Sequence, residues 1–197
     1  MKRLILVSSP PGCGKTYISK QLAKNLSHVV YLDKDTLIPL SKQIFRVAKK
    51  PYDRSSDFFE ENIRDYEYDV ILDLAFEALL YEDTVLINAP FTREIRDLDY
   101  IKKLKARLRA MSAHLTVIWV VTDPEVCRKR MAKRNSDRDL YKLTHWDEYI
   151  KTVDFSIPKA LCDPEVKDGL LLFYNSTEAE FAASMRDIVQ VLDYPLD

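Results

Sequence analysis

The chain has 197 residues, 47% of them hydrophobic and 31% charged, with a formal net charge of -1. That size suits one domain, residues 1–197, with a small lid; the composition excludes a disordered chain. The near balance of charge excludes a global positive field for nucleic acid and leaves only local basic patches. Cys13, Cys127 and Cys162 are an odd number without metal-ligand spacing, which predicts reduced thiols. With no signal peptide, lipidation site or long apolar span in view, a cytoplasmic protein with no membrane partner is expected.

Residues Arg3 to Ser8 read as a first strand, apolar on both faces as a central parallel strand should be. Ser9-Pro10-Pro11-Gly12-Cys13-Gly14-Lys15-Thr16 follows, then a helical pattern to about Leu26. A strand, a glycine-bearing turn and a helix opening on Gly-Lys-Thr make a phosphate cradle, G-x-x-x-x-G-K-[ST]. Backbone N–H groups and the positive helix end attract phosphate oxygens there. Pro11, Gly12, Cys13, Gly14, Lys15 and Thr16 are therefore predicted to bind nucleotide. Lys15 would reach the β- and γ-phosphates, and the Thr16 hydroxyl would ligate Mg²⁺. Ser9 stands where the pattern has its first glycine, and serine there is expected to strain the turn. Cys13 reads as a small-residue filler whose position at a helix start favours oxidation.

A second strand, Val29 to Leu32, ends at Asp33-Lys34-Asp35, and Thr36 to Lys49 reads as a helix. Asp33 and Asp35 are the best candidates for a general base, and one of them could contact a hydrated metal. A helix cap is the structural alternative for Asp35. Tyr52 to Asp65 has no clean period and would cover the substrate. From Tyr66 to Leu80 a packed helix is predicted, with Val70, Ile71, Leu74, Ala75, Ala78 and Leu79 inward. Thr84 to Ile87 is a third strand, closed by Asn88, where phosphate-loop enzymes usually place an acid; the missing charge weakens the metal site or moves the task to Asp33 or Asp35. The helix through Leu98, Ile101, Leu104, Leu108 and Met111 has a basic outer face that reads as solvated surface.

Leu115 to Val121 is a fourth strand, and Asp123-Pro124 caps a helix through Lys133. Arg130 and Arg134 fall at i,i+4, where like charges repel unless an anion such as a triphosphate lies between them. Leu140 to Val153 follows, the fifth strand is Leu170 to Tyr174, and a last helix carries Phe181, Met185, Ile188, Val189 and Leu192 before Pro195. Strands alternating with helices give an α/β fold, whose ligands bind beyond the carboxyl ends of the strands.

Three segments, Pro11 to Thr16, Leu32 to Thr36 and Lys133 to Asp139, resemble those of the phosphate-loop kinases that include zeta toxins, chloramphenicol phosphotransferase and phage polynucleotide 5′-kinase, within the adenylate-kinase-like group. The resemblance implies a three-layer P-loop NTPase fold, with a parallel sheet of order 2-3-1-4-5, helices on both faces and a helical lid at about 128–145. It implies ATP and Mg²⁺ as cofactors, with Thr16 and Asp33 at the metal and Asp35 as the general base. Lys15, Arg134 and Arg138 would act on the phosphoryl, Arg130 on the phosphates, and Asn175, by position, near the adenine. The expected activity is transfer of the ATP γ-phosphoryl to a hydroxyl of a small molecule or nucleotide. A polynucleotide 5′-hydroxyl kinase and a regulatory nucleotide binder with little turnover are the rivals.

Overall fold

A computed structural model describes residues 2–193, the side chains of Asp137 and Arg138 excepted. Five strands, β1 Lys2–Ser8, β2 Val29–Asp33, β3 Thr84–Asn88, β4 Ala113–Val121 and β5 Leu170–Tyr174, form one parallel sheet of order 2-3-1-4-5. Its register places Asp33 of β2 directly beside Asn88 of β3, and Val7 of β1 beside Asn88 on the other flank. Nine helices, counted among the described residues, connect the strands: α1 Lys15–Asn25, α2 Ile38–Val47, α3 Asp57–Phe59, α4 Asp65–Tyr81, α5 Leu98–Arg109, α6 Pro124–Arg134, α7 Asp137–Thr144, α8 Trp146–Thr152 and α9 Glu178–Asp193.

Alternation along β1 divides the core in two. Leu4 and Leu6 face one layer with Ile71, Ala75 and Leu79 of α4 and Ile101 and Leu108 of α5. Ile5 and Val7 face the other, with Ile18 and Leu22 of α1 and Ile188 of α9. Each of these buried leucine, isoleucine and valine side chains contributes about 1.5–3 kcal/mol, so the sheet is held rigid from both faces. The loops at its carboxyl edge are mounted on that support.

Several sequence expectations shift. The run after β2 opens as a 3-10 turn, Lys34–Leu37, and becomes α-helical only at Ile38, because the Asp33 carboxylate caps the turn through the Asp35 N–H. The cap is thus Asp33, not Asp35. Residues 57–64 form α3 and a π-helical turn, Glu60–Arg64, that runs into α4. On α4 the buried stripe is Ile71, Leu72, Ala75, Phe76 and Leu79, while Val70 and Leu74 are exposed. The stretch 137–152 is two helices rather than one, broken at His145. Pro195 lies outside the described residues. Among the described residues no helix is long and apolar enough to cross a membrane.

Candidate active site

Two other helix starts carry their own carboxylates. Asp97 accepts the first N–H groups of α5, and Asp123 those of α6. Helix α1 differs: Gly14 stands at its N-cap, no side chain caps it, and its first turn holds no acid. Its orphan N–H groups and positive dipole end therefore remain available to an outside anion.

Two glycines make the turn before it possible. Gly12 and Gly14 both lie in the left-handed region, with φ of 85° and 89°. A Cβ on Gly14 would also come within 2.7 Å of the Asn175 amide nitrogen. Ser9 needs no such freedom. It is not among the positive-φ residues, is buried, and donates through Oγ to the Pro10 carbonyl at 2.9 Å. The expected strain at Ser9 is therefore absent; the turn puts its left-handed residues at 12 and 14 instead.

Asn88 is the hub of the polar cluster. Its Oδ1 accepts from Lys15 Nζ at 2.9 Å. Its Nδ2 donates to Asp33 Oδ2 at 2.9 Å and lies 3.4 Å from Thr16 Oγ1. The register explains why an amide serves here. A second carboxylate opposite Asp33 would set two negative charges at hydrogen-bond distance, whereas an amide accepts from the lysine and donates to the acid. The acid of this site stands one strand over, on β2. Asn88→Asp is expected to destabilise the fold by about 1 kcal/mol or more at neutral pH. Urea unfolding at pH 7 checks this, and a variant as stable as wild type contradicts it.

Asp33 is anchored by further donors. Its Oδ2 also accepts from Tyr31 Oη at 2.9 Å, and its Oδ1 from the Asp35 N–H at 3.0 Å. Burial and this carboxylate push the Tyr31 phenol up, keeping it a donor. Asp35 sits exposed on the turn, and its side chain makes no hydrogen bond or ion pair among the described residues. Thr16 Oγ1 and Asp33 Oδ2 are hard oxygen donors flanking one amide, a set that fits hydrated Mg²⁺.

The turn that carries Asp35 is anchored from below by a network that sequence reasoning missed. Lys34 is buried and meets Glu67 Oε2 at 2.6 Å; Arg54 clamps the same carboxylate bidentately at 2.9 and 2.6 Å, and Ser41 donates to it. Burial raises the Glu67 carboxyl, but Arg54, Lys34 and Ser41 together outweigh it and hold the group below its ordinary value. For Lys34 burial wins, and its ammonium falls below the usual range.

Of the predicted arginines, Arg130 is the one beside the loop. Its Nη1 lies 3.7 Å from where a Gly14 Cβ would stand, is buried, and has no hydrogen-bond partner among the described residues. A buried guanidinium nitrogen left unpaired at a phosphate cradle fits an incoming phosphate oxygen. Arg134 is placed differently: its guanidinium meets the fully buried Asp139, with Nε at 2.8 Å. Arg134 thus already has a protein carboxylate as its counter-charge, and Arg130 does not share it through Nη1. The Arg138 side chain lies outside the described residues. Asn175 turns its amide onto the Cys13 carbonyl at 2.7 Å, bracing the loop from behind. Arg93 and Arg96 pair with Glu60 and Asp154. Among the described residues no group of three His, Cys, Asp or Glu side chains could hold a metal.

Solved structures of similar architecture include the tunicamycin resistance protein of Deinococcus radiodurans, 12% identical over 97% of this chain and 96% of that one, with a TM-score of 0.54. A gluconokinase from Sinorhizobium meliloti 1021 is 14% identical over 97% and 95%, with a TM-score of 0.54. A shikimate kinase from Bacteroides thetaiotaomicron is 15% identical over 98% and 99%, with a TM-score of 0.55. At such identities the likeness shows the fold, that of the P-loop kinases. A search of curated proteins finds no match to this sequence. The model of the AAA domain family, AAA_33, matches residues 4–155, which include the glycine turn, Lys15, Asp33, Asn88 and Arg130. By that match the chain belongs to the AAA domain family and is a P-loop NTPase domain.

Proposed function

We propose that this protein is a small-molecule kinase that moves the ATP γ-phosphoryl to an alcohol. The observation that carries the reading is the buried, unpaired Arg130 Nη1 beside an uncapped glycine turn, with an unengaged carboxylate, Asp35, on the turn that follows β2. Kinases among the structural neighbours, a gluconokinase and a shikimate kinase, act on small hydroxylated molecules by name, which supports the same acceptor class here.

In this reading the N–H groups from Gly12 to Thr16 hold the β-phosphate and Lys15 leaves Asn88 for the γ-phosphate. Thr16 and Asp33 would hold Mg²⁺, which neutralises charge on the phosphate oxygens when bound. Asp35 accepts the proton of the acceptor hydroxyl as its oxygen forms the bond to phosphorus; the bond to the bridging oxygen breaks and ADP leaves. Arg130 spreads charge over the transferring group. Residues 128–145 act as the lid over it, and Arg134 and Arg138 belong to that lid by resemblance.

Incubation with γ-labelled ATP and a panel of sugars, acids, nucleosides and single-stranded DNA tests the reading. Label on a small hydroxylated compound supports it; label on DNA 5′ ends alone, or on none, overturns it. Lys15→Ala is expected to weaken nucleotide binding about 10–150-fold, the scale of one charge-assisted hydrogen bond. Calorimetric titration with ATP reads it, and an unchanged affinity removes Lys15 from the site.

A further inference from the structure

Cys13 and Cys127 are 114 positions apart in sequence, yet their sulfurs lie 3.4 Å from each other. Cys13 is the central residue of the phosphate turn and Cys127 belongs to α6, the helix that carries Arg130. The turn rests directly on that helix: a Cβ at Gly12 would meet the Cys127 carbonyl at 3.0 Å and its Cβ at 3.1 Å. Packing alone asks only for small side chains here, and alanine or serine would satisfy it. Two facing thiols add a chemistry that packing does not need.

We propose that Cys13 and Cys127 form a reversible disulfide when the protein meets a hydroperoxide, and that this bond disables the phosphate turn. The sulfur of Cys13 attacks the peroxide; the O–O bond breaks, a sulfenic acid forms and the alcohol or water leaves. The sulfur of Cys127 then attacks that sulfur, the S–S bond forms, the S–O bond breaks, and water departs with the thiol proton. Two thiols and one peroxide thus give one disulfide, one alcohol and one water, with both sulfurs oxidised and both peroxide oxygens reduced.

The assignment of attacking and resolving sulfur follows the surroundings. The hydrogen bond from the Cys127 thiol, assisted by Thr122, Ser9 and the Arg130 charge, holds Cys13 below the ordinary thiol range against its burial. The same contact and burial push Cys127 up. Both thiols are buried, so a peroxide reaches them when the turn lifts from α6, and a bound triphosphate should slow the reaction.

The effect on the turn is geometric. A disulfide needs its sulfurs at about 2.05 Å, so they must close by more than 1 Å. Gly12 and Gly14 flank Cys13 and give way most easily, while Asn175 and Thr122 hold its carbonyl at 2.7 and 3.3 Å. Closure therefore rotates the N–H groups next to Cys13 out of their common focus. It also ties the turn to the helix that must bring Arg130 onto a phosphate. This second consequence rests on the function proposed above; the bond itself does not.

The test treats reduced full-length protein with hydrogen peroxide and maps peptides by mass, with exposed Cys162 as the internal reference. Expected is one linked peptide pair containing Cys13 and Cys127, lacking two hydrogens and restored by dithiothreitol. Binding of a fluorescent ATP analogue should fall about tenfold or more on oxidation and recover on reduction. Cys127→Ala and Cys127→Ser should bind the analogue as wild type does when reduced, and keep binding it after peroxide. The bridge is read by mass whether or not nucleotide binds, so its failure and that of the kinase reading are separate. Oxidation of Cys162 while Cys13 and Cys127 stay thiols overturns the bridge, and a bridge that leaves analogue binding unchanged overturns the switch.

Discussion

Asp35→Asn is expected to leave ATP binding intact and to lower turnover about 10²–10⁴-fold, the usual scale for a lost general base. The structure separates Asp35 from its rival by what each carboxylate already holds. Asp33 accepts from a phenol, an amide and a backbone N–H, which fixes its position and leaves about one acceptor site, enough for a metal. Asp35 is exposed and carries no such partner among the described residues, so its oxygens can take up a proton. Steady-state rates on the identified acceptor check the assignment. Asp33→Asn should instead raise the Mg²⁺ concentration needed. An unchanged rate in Asp35→Asn places the base elsewhere.

Glu67→Ala is expected to cost about 3–5 kcal/mol of stability, because it strands two cations rather than removing one contact. Lys34 is only 3% exposed and Arg54 is half-buried, and both lean on the same carboxylate at 2.6 Å. Replacing the acid leaves the ammonium without its ion pair in a site that already disfavours charge. The sign of the pH dependence follows from the carboxyl. Its folded value lies below the ordinary 4.5, so its stabilisation is complete above that value and lost as pH falls through the folded one. Urea unfolding at pH 7 and again below pH 4.5 reads both effects. The wild-type advantage over Glu67→Ala should be large at pH 7 and shrink in acid. A difference below about 1 kcal/mol at pH 7 would mean that the network contributes nothing net.

How much of this was legible in the sequence depends on the range of the interaction. The strand β5 and the cap of α6 at Asp123 are local matters, set by apolar runs and by one carboxylate three positions from its target, and they fall where the pattern puts them. The glycine turn and Lys15 are equally local. The order of the sheet is not local, and there the family resemblance supplied what periodicity could not. What stayed hidden depends on residues far apart in the chain. Glu67 lies 33 positions from Lys34, and a glutamate within a helix reads as solvent-facing until its partners fold onto it. Asn175 reaches Cys13 across 162 positions. Val70 and Leu74 satisfy a helical period as well as Leu72 and Phe76 do, so the buried face of α4 could not be picked from the spacing. The role of Asn88 is the clearest case: its missing charge reads as a deficit in one dimension, and only the register beside Asp33 shows why an amide belongs there.

The central claim, that the glycine turn grips the phosphates, is tested most directly by competition for a bound fluorescent ATP analogue. Tripolyphosphate should displace it and adenosine should do so only at far higher concentration. Displacement by adenosine with no effect of tripolyphosphate, or no binding of the analogue at all, would contradict the account.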